Sequence, residues 1–353
     1  MEQRIIGGKG RGREAGSPQR PAATAVAAAP SVRNVRIDSA SAGQRLDNFL
    51  AKILKGVPKT HLYRVIRSGE VRVNKGRAGA DTRLDLGDEV RIPPVRTADR
   101  SAQPAAPARE FPIIFEDEHL LAIDKPAGVA VHGGSGESFG VIEQLRRARP
   151  GAEFLELVHR LDKDTSGLLL IARTRKALVA LQNDLRSKRP ERAIGKTYAA
   201  LVAGAWPDKL KVIDVALHKY LDADGARRVR TVDAEDADGR RSITLVRVAE
   251  RLAPFTLLDV TIKTGRTHQI RVHLAHEGHA VVGDPKYGDF ALNRALARGV
   301  TLPAVRFERM FLHARRLRFM HPATGEAIEL EAPLPEACAM LLRALRRARP
   351  EPR

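Results

Sequence analysis

The residues best placed to do chemistry lie in one string, His159-Arg160-Leu161-Asp162-Lys163-Asp164-Thr165-Ser166-Gly167, which runs straight into Leu168-Leu169-Leu170-Ile171-Ala172. A polar cluster ahead of an unbroken aliphatic run reads as a loop feeding a strand covered on both faces, and loops held at the mouth of a core commonly carry chemistry. Asp162 sits between Arg160 and Lys163, cations that favour the ionised carboxylate and hold it ready as a nucleophile. The same pattern also describes a turn with a solvated ion pair, because such pairs are abundant and contribute little. On residue types alone, both readings stand.

Other stretches offer weaker chemistry. The Gly133-Gly134-Ser135-Gly136 loop lacks the G-K-[ST] of a phosphate-binding loop. His268, His273, His276 and His279 invite a metal reading, and His276 and His279 have the close helical spacing of paired ligands, but no cysteine accompanies them. No metal is expected. Tyr198, in Lys196-Thr197-Tyr198-Ala199-Ala200-Leu201-Val202, lies in a strand pattern where an aromatic usually fills a core.

These residues need elements to position them, and the apolar spacing supplies candidates. Leu46, Phe49, Leu50, Ile53 and Leu54 make a helical stripe; after Pro58, a second helix places Leu62, Val65 and Ile66 on one side, with Gly69 as its C-cap. Val71-Arg72-Val73 and the segment closing at Ile92 read as strands, giving a compact module of two helices and a small β unit. Further on, Phe111 to Phe115, Leu120 to Ile123, Ser242 to Arg247 and Leu257 to Ile262 read as strands, Ala177 to Leu185 as a helix, and Gly265 to His273 as the opening of another helix.

Composition narrows the class. The chain has 353 residues, 43% of them hydrophobic, enough for one large domain and a smaller companion. A formal charge of +19 points to a polyanionic partner, nucleic acid before membrane. A single cysteine, Cys338, excludes an internal disulfide and a cysteine-based zinc site and fits a reducing cytoplasm. No apolar run approaches the roughly 18 residues that span a bilayer, so a soluble protein is expected.

The string around Asp162 resembles motif II of the RluA-type pseudouridine synthases, the H-R-L-D-x-x-T-S-G signature. The resemblance implies that Asp162 is the catalytic carboxylate and that Arg160 takes the place of a flipped-out base. It extends to Asp124-Lys125-Pro126-Ala127-Gly128, to the K-x-Y of Lys196 and Tyr198, and to Gly265 through His273. It implies that Tyr198 lies against the target uracil and that Arg271 pairs with Asp162, where a guanidinium can hold a carboxylate by two parallel hydrogen bonds. Asp284-Pro285-Lys286-Tyr287-Gly288, Met310 to Ala314 and His321 to Gly325 complete the pattern, and Gly288-Asp289 through Asn293-Arg294 is similar to the RluC-like branch acting on large-subunit rRNA. The segment from Arg36 to Pro94 resembles an S4 RNA-binding domain; Lys59, Arg64, Arg67 and Arg72 are its candidate phosphate contacts.

The expected architecture is α+β: a disordered basic tail over 1–34, an S4-like domain over 35–94, a linker over 95–110, a mainly antiparallel mixed-sheet catalytic domain over 111–346 and a basic tail over 347–353. The implied reaction is isomerisation of uridine in bacterial 23S rRNA by a monomer without cofactor. Rival readings are a synthase acting on other rRNA sites or tRNA, and a non-catalytic RNA-binding or ribosome-assembly protein. A glycosidase would want a second carboxylate, which is not evident.

Overall fold

The computed structural model describes residues 31–54, 56–95, 106–134, 137–187, 189, 192–222, 227–300 and 305–348. Most of the expected tails and linker, residues 1–30, 96–105 and 349–353, lies outside the described residues. Two compact units emerge among those described: residues up to 36 with 44–95, and residues 37–43 with 106–348.

The smaller unit contains β1 (Arg33–Arg36), α1 (Leu46–Ile53), α2 (Lys59–Arg67), β2 (Arg72–Val73), β3 (Gly76–Arg77) and β4 (Glu89–Ile92), with sheet order β1-β4-β2-β3. Helix α1 buries Leu46, Phe49 and Leu50, while α2 buries Leu62, Val65 and Ile66, as their spacing dictates. Gly69 ends α2 at φ +78°, a left-handed conformation that favours glycine. One boundary differs from expectation. Arg33 and Asn34, assigned to the tail by composition, pair with Ile92 and Arg91 in β1, because a partner strand far along the chain supplies order that local composition lacks.

The larger unit begins with β5 (Ile113–Glu116), β6 (Leu120–Lys125), α3 (Val141–Ala148), β7 (Glu156–Leu157), β8 (Ser166–Ala172), α4 (Arg175–Arg186) and β9 (Gly195–Ala203). It continues with β10 (Val212–Asp214), β11 (Ala216–Leu221), β12 (Arg227–Val232), β13 (Ile243–Leu252), β14 (Phe255–Ile262), α5 (Gln269–His276) and α6 (Phe290–Ala297). It closes with β15 (Leu312–Met320), β16 (Ala327–Glu331) and α7 (Glu336–Arg347). The main sheet runs β10-β13-β14-β9-β15-β8-β6-β5, with β16 on β15 and β7 on β8. Its pairings are antiparallel except β8 with β15, so the sheet is mixed and mainly antiparallel.

Strand β8 is buried at every position, which explains its lack of polar alternation. Leu169 and Ile171 join a core with Leu121, Ile123, Val260 and Ile270 of α5, while Leu168 and Leu170 face another with Leu178 and Leu181 of α4. Each such leucine contributes about 1.5–3 kcal/mol by burial, so the strand that receives the Asp162 loop is anchored on both faces. Gly167 permits its parallel seam: at φ +109°, a Cβ there would lie 2.3 Å from the Ala314 carbonyl oxygen.

Candidate active site

Asp162 lines a pocket of about 460 Å³ together with Arg160, Lys196, Tyr198, His268 and Arg271. The loop brings Arg160 and Asp162, β9 brings Lys196 and Tyr198, and the turn into α5 brings His268 and Arg271. Tyr198 is buried, and its hydroxyl is pushed up first by burial and then by the Asp162 charge. Arg160 is exposed at the rim. The pocket thus gathers all four motif residues singled out from sequence, although they span more than 100 positions.

The cations flanking Asp162 in sequence are not its partners. Lys163 turns outward to Glu137, at 2.5 Å. Arg271 instead reaches Asp162 Oδ2 through Nη1 at 3.2 Å. The expected parallel bonds are also redirected: Arg271 Nε and Nη2 donate to Asp284 Oδ2 and Oδ1, each at 2.7 Å. Both partners of that pair are almost wholly buried, whereas the Asp162 side chain is 24% exposed, so the fork–fork bond neutralises the inner charges and leaves one donor for the carboxylate in the pocket. The N–H groups of Lys286 and Tyr287 also donate to Asp284, and Arg271 lies 5.1 Å from the Tyr287 ring centroid.

His268 is the other near neighbour of Asp162, with Nε2 3.9 Å from Oδ2. It caps α5 at φ +54°, an uncommon left-handed position outside glycine, and its Nδ1 contacts Tyr287 Oη at 2.8 Å. Burial lowers its pKa against the opposing pull of Asp162.

Several polar groups hold the loop itself. Lys125, fully buried, donates from Nζ to the carbonyls of Pro126, Val129 and Lys163 at 2.8, 2.9 and 3.0 Å, joining the Asp124-to-Gly128 turn to the Asp162 loop. Burial lowers its pKa to about 7. His159 Nε2 accepts the Leu170 N–H at 3.2 Å, and burial brings this imidazole down to about 3. Ser166 Oγ bonds His313 Nδ1 at 2.9 Å and accepts from Arg309 Nη2 at 2.7 Å. These contacts fix the loop before any ligand arrives.

In the smaller unit, Lys59, Arg64 and Arg67 line one exposed groove with Tyr63. Arg72 does not join them; its Nη1 donates to the Lys75 carbonyl at 3.1 Å. The histidines of the 268–279 stretch also go separate ways: His273 to Thr244 and Val215, His276 to Thr231 and His279 to the Ala203 carbonyl. Among the described residues, the group with converging metal-type ligand atoms is His218, Asp236 and Asp238, outside the pocket. The Gly133 N–H, within the glycine-rich loop, is taken by the Glu143 carboxylate at 3.1 Å.

Comparison with known proteins gives this geometry a family. The model of RNA pseudouridylate synthases matches residues 119–276, and the S4 domain model matches residues 44–90. Ribosomal large subunit pseudouridine synthase C of Escherichia coli (strain K12) is 48% identical over 326 residues, 91% of this chain and 98% of that protein. The chain belongs to the RNA pseudouridylate synthase family. The synthase of the same name from Yersinia pestis is 47% identical over 90% of this chain and 97% of its own. Human RNA Pseudouridylate Synthase Domain Containing 4 superposes with a TM-score of 0.54 at 26% identity, covering 67% of this chain and 93% of that structure.

For a pseudouridine synthase, the string around Asp162 is where a sequence reading looks first. The roles of Asp284, Tyr287, His268 and the anchoring Lys125 are not legible in that string. Asp284 stood in a recognised Asp-Pro-Lys-Tyr-Gly stretch, but its bond to Arg271 becomes visible only once α5 and the following turn pack together. The signal available was its type: a carboxylate followed by backbone donors is a ready partner for a buried arginine.

Proposed function

We propose that this synthase isomerises uridines to pseudouridine in the large-subunit (23S) ribosomal RNA, with Asp162 as the catalytic carboxylate. The observation that carries the reading is Asp162 itself, paired with the buried Arg271 in a pocket that also holds Tyr198. The reaction breaks N1–C1′, turns the uracil, joins C5 to C1′ and exchanges the C5 proton for one on N1. Nothing is added or lost. Asp162 acts on the sugar, by attack at C1′ or by taking the C2′ proton; Arg271 holds its carboxylate in place.

The target base is stacked within RNA and must leave its stack to reach Asp162. Arg160, exposed at the pocket rim, fills the space it vacates, and Tyr198 packs against the uracil. Tyr198 acts as a protonated phenol, since burial and the Asp162 charge both oppose its ionisation. Residues 35–94 supply phosphate contacts through Lys59, Arg64, Arg67 and Arg72, and residues 111–346 form the catalytic domain. The names of its relatives, with 48% identity to the Escherichia coli protein, support the large-subunit substrate.

No helix among the described residues is long and apolar enough to cross a membrane. The proposed setting is the cytoplasm, where a monomer acts on rRNA without a small-molecule cofactor. Mapping pseudouridine across total RNA from cells with and without this gene tests the substrate. Loss at 23S rRNA sites is expected. Loss confined to tRNA would reject the large-subunit assignment, and an unchanged map would favour a protein that binds RNA without modifying it.

A further inference from the structure

Strands β11 and β12 form a separate two-stranded ribbon, in register from Ala216 opposite Val232 to Leu221 opposite Arg227. Leu217 and Val229 anchor it against Val272 of α5, with Tyr287 packed beside them. The helix that carries Arg271 therefore also carries the ribbon. Outside this anchor, its strands bear Lys219, Arg227, Arg228 and Arg230 and no carboxylate.

Charge and exposure divide the ribbon lengthwise. Acidic Asp233, Glu235, Asp236 and Asp238 follow β12 at the end where Ala216 meets Val232, and His218 Nδ1 lies 3.8 Å from Asp236 there. Toward the other end stand the exposed Tyr220 and Leu221. Arg228 is committed to Asp222 at 2.6 Å, but Arg230 lies with its guanidinium carbon 5.7 Å from the Tyr220 ring centroid. A groove along this end is lined by Tyr220, Arg228 and Lys286 and shares Arg160, Lys219 and His268 with the Asp162 pocket.

We propose that this ribbon is a platform for the unpaired nucleotides flanking the target uridine, with Tyr220 stacking on one base and Lys219 and Arg230 meeting adjoining phosphates. The inference rests on the reading that the substrate is RNA. An isolated exposed tyrosine needs no explanation. Here the ring has a cation beside it, its strands lack acid, and its groove opens into the site that must receive a base with chain on either side. Aromatic faces and cationic side chains together are how single strands are held without sequence readout. The cations around Tyr220, with no carboxylate on either strand, favour a polyanion over a protein surface.

The test uses the full chain and fluorescence anisotropy with a labelled single-stranded oligouridylate, beside an RNA duplex of equal length. Tyr220→Ala should weaken oligouridylate binding about tenfold, the order of one lost base stack, with a much smaller effect on the duplex. Tyr220→Trp and Tyr220→Phe should restore it. Arg230→Gln should lower the salt dependence by about one phosphate contact, a slope change of about 0.7. Unchanged oligouridylate binding by Tyr220→Ala, failure of both aromatic replacements, or equal loss on the duplex would overturn the platform. Pseudouridine in rRNA modified by the wild-type protein is measured separately: if none forms while the Tyr220 pattern holds, the proposed substrate fails and the platform stands.

Discussion

The pocket around Asp162 and the outer face of α2 assemble their charges in opposite ways. In the pocket, Asp162, Arg271 and Asp284 come from separate segments and meet in a largely buried chain of ion pairs. On α2, Lys59, Arg64 and Arg67 fall within one nine-residue helix and stand exposed around a shallow groove. Burial removes the solvent that would substitute for a lost partner, so the pocket groups depend on one another. Exposed cations keep their water and counterions and act nearly independently. One region should therefore fail at single substitutions, and the other should weaken by small steps that salt can imitate.

The sharpest break in that comparison is Asp162→Asn, which should reduce pseudouridine formation about a thousandfold or more while leaving folding intact. Tritium release from C5-labelled uridine in RNA reads the rate, and thermal unfolding checks the fold. Asp164→Asn, in the same loop, should keep substantial activity; equal losses would mean that the loop's overall charge, rather than the carboxylate paired with Arg271, matters.

Asp284→Ala tests whether the inner pair is as interdependent as its burial implies. It strands the Arg271 guanidinium, and a broken buried pair costs about 3–5 kcal/mol. Urea unfolding measures that loss, and the rate at saturating RNA should fall as well because Arg271 loses its aim at Asp162. A stability change no greater than that of a surface substitution would place this pair on the same footing as the α2 cations.

Acid sharpens the contrast through His313, which burial lowers to about 4 where it accompanies Ser166. An unfolded histidine takes up its proton near pH 6.5, whereas this folded one resists until about pH 4. Its contribution is thus present above 6.5 and lost as the pH falls through that window, by on the order of 3 kcal/mol. Unfolding free energies measured between pH 7 and 4 should show that loss together with the one from the buried His159, and His313→Gln should make the slope shallower without removing it.

The smallest effects belong to α2. Arg64→Ala and Arg67→Ala should each weaken rRNA binding by less than about tenfold and reduce the salt slope by roughly 0.7–0.9, with the double variant close to additive. A filter-binding salt titration reads this directly. A single substitution that removed binding altogether would make this face as interdependent as the pocket.

The sequence by itself determined the elements whose signals are local. The aliphatic run from Leu168 to Ala172 became a strand buried on both faces, and the stripes at Leu46–Ile53 and Leu62–Ile66 became the buried sides of α1 and α2, because side-chain periodicity is fixed by backbone geometry. The motif string likewise marked Asp162. The resemblance also named Arg271 as its partner, which the structure places at 3.2 Å, but the flanking Lys163 pairs with Glu137 and the parallel bonds of Arg271 go to Asp284. Only tertiary structure decided those partners, and with them the placing of β1, the burial of Lys125 beneath the loop and the ribbon beside the pocket. Charges are paired by distance in space, and the packing of β8, β9 and α5 into one core, rather than adjacency along the chain, brings these groups within reach.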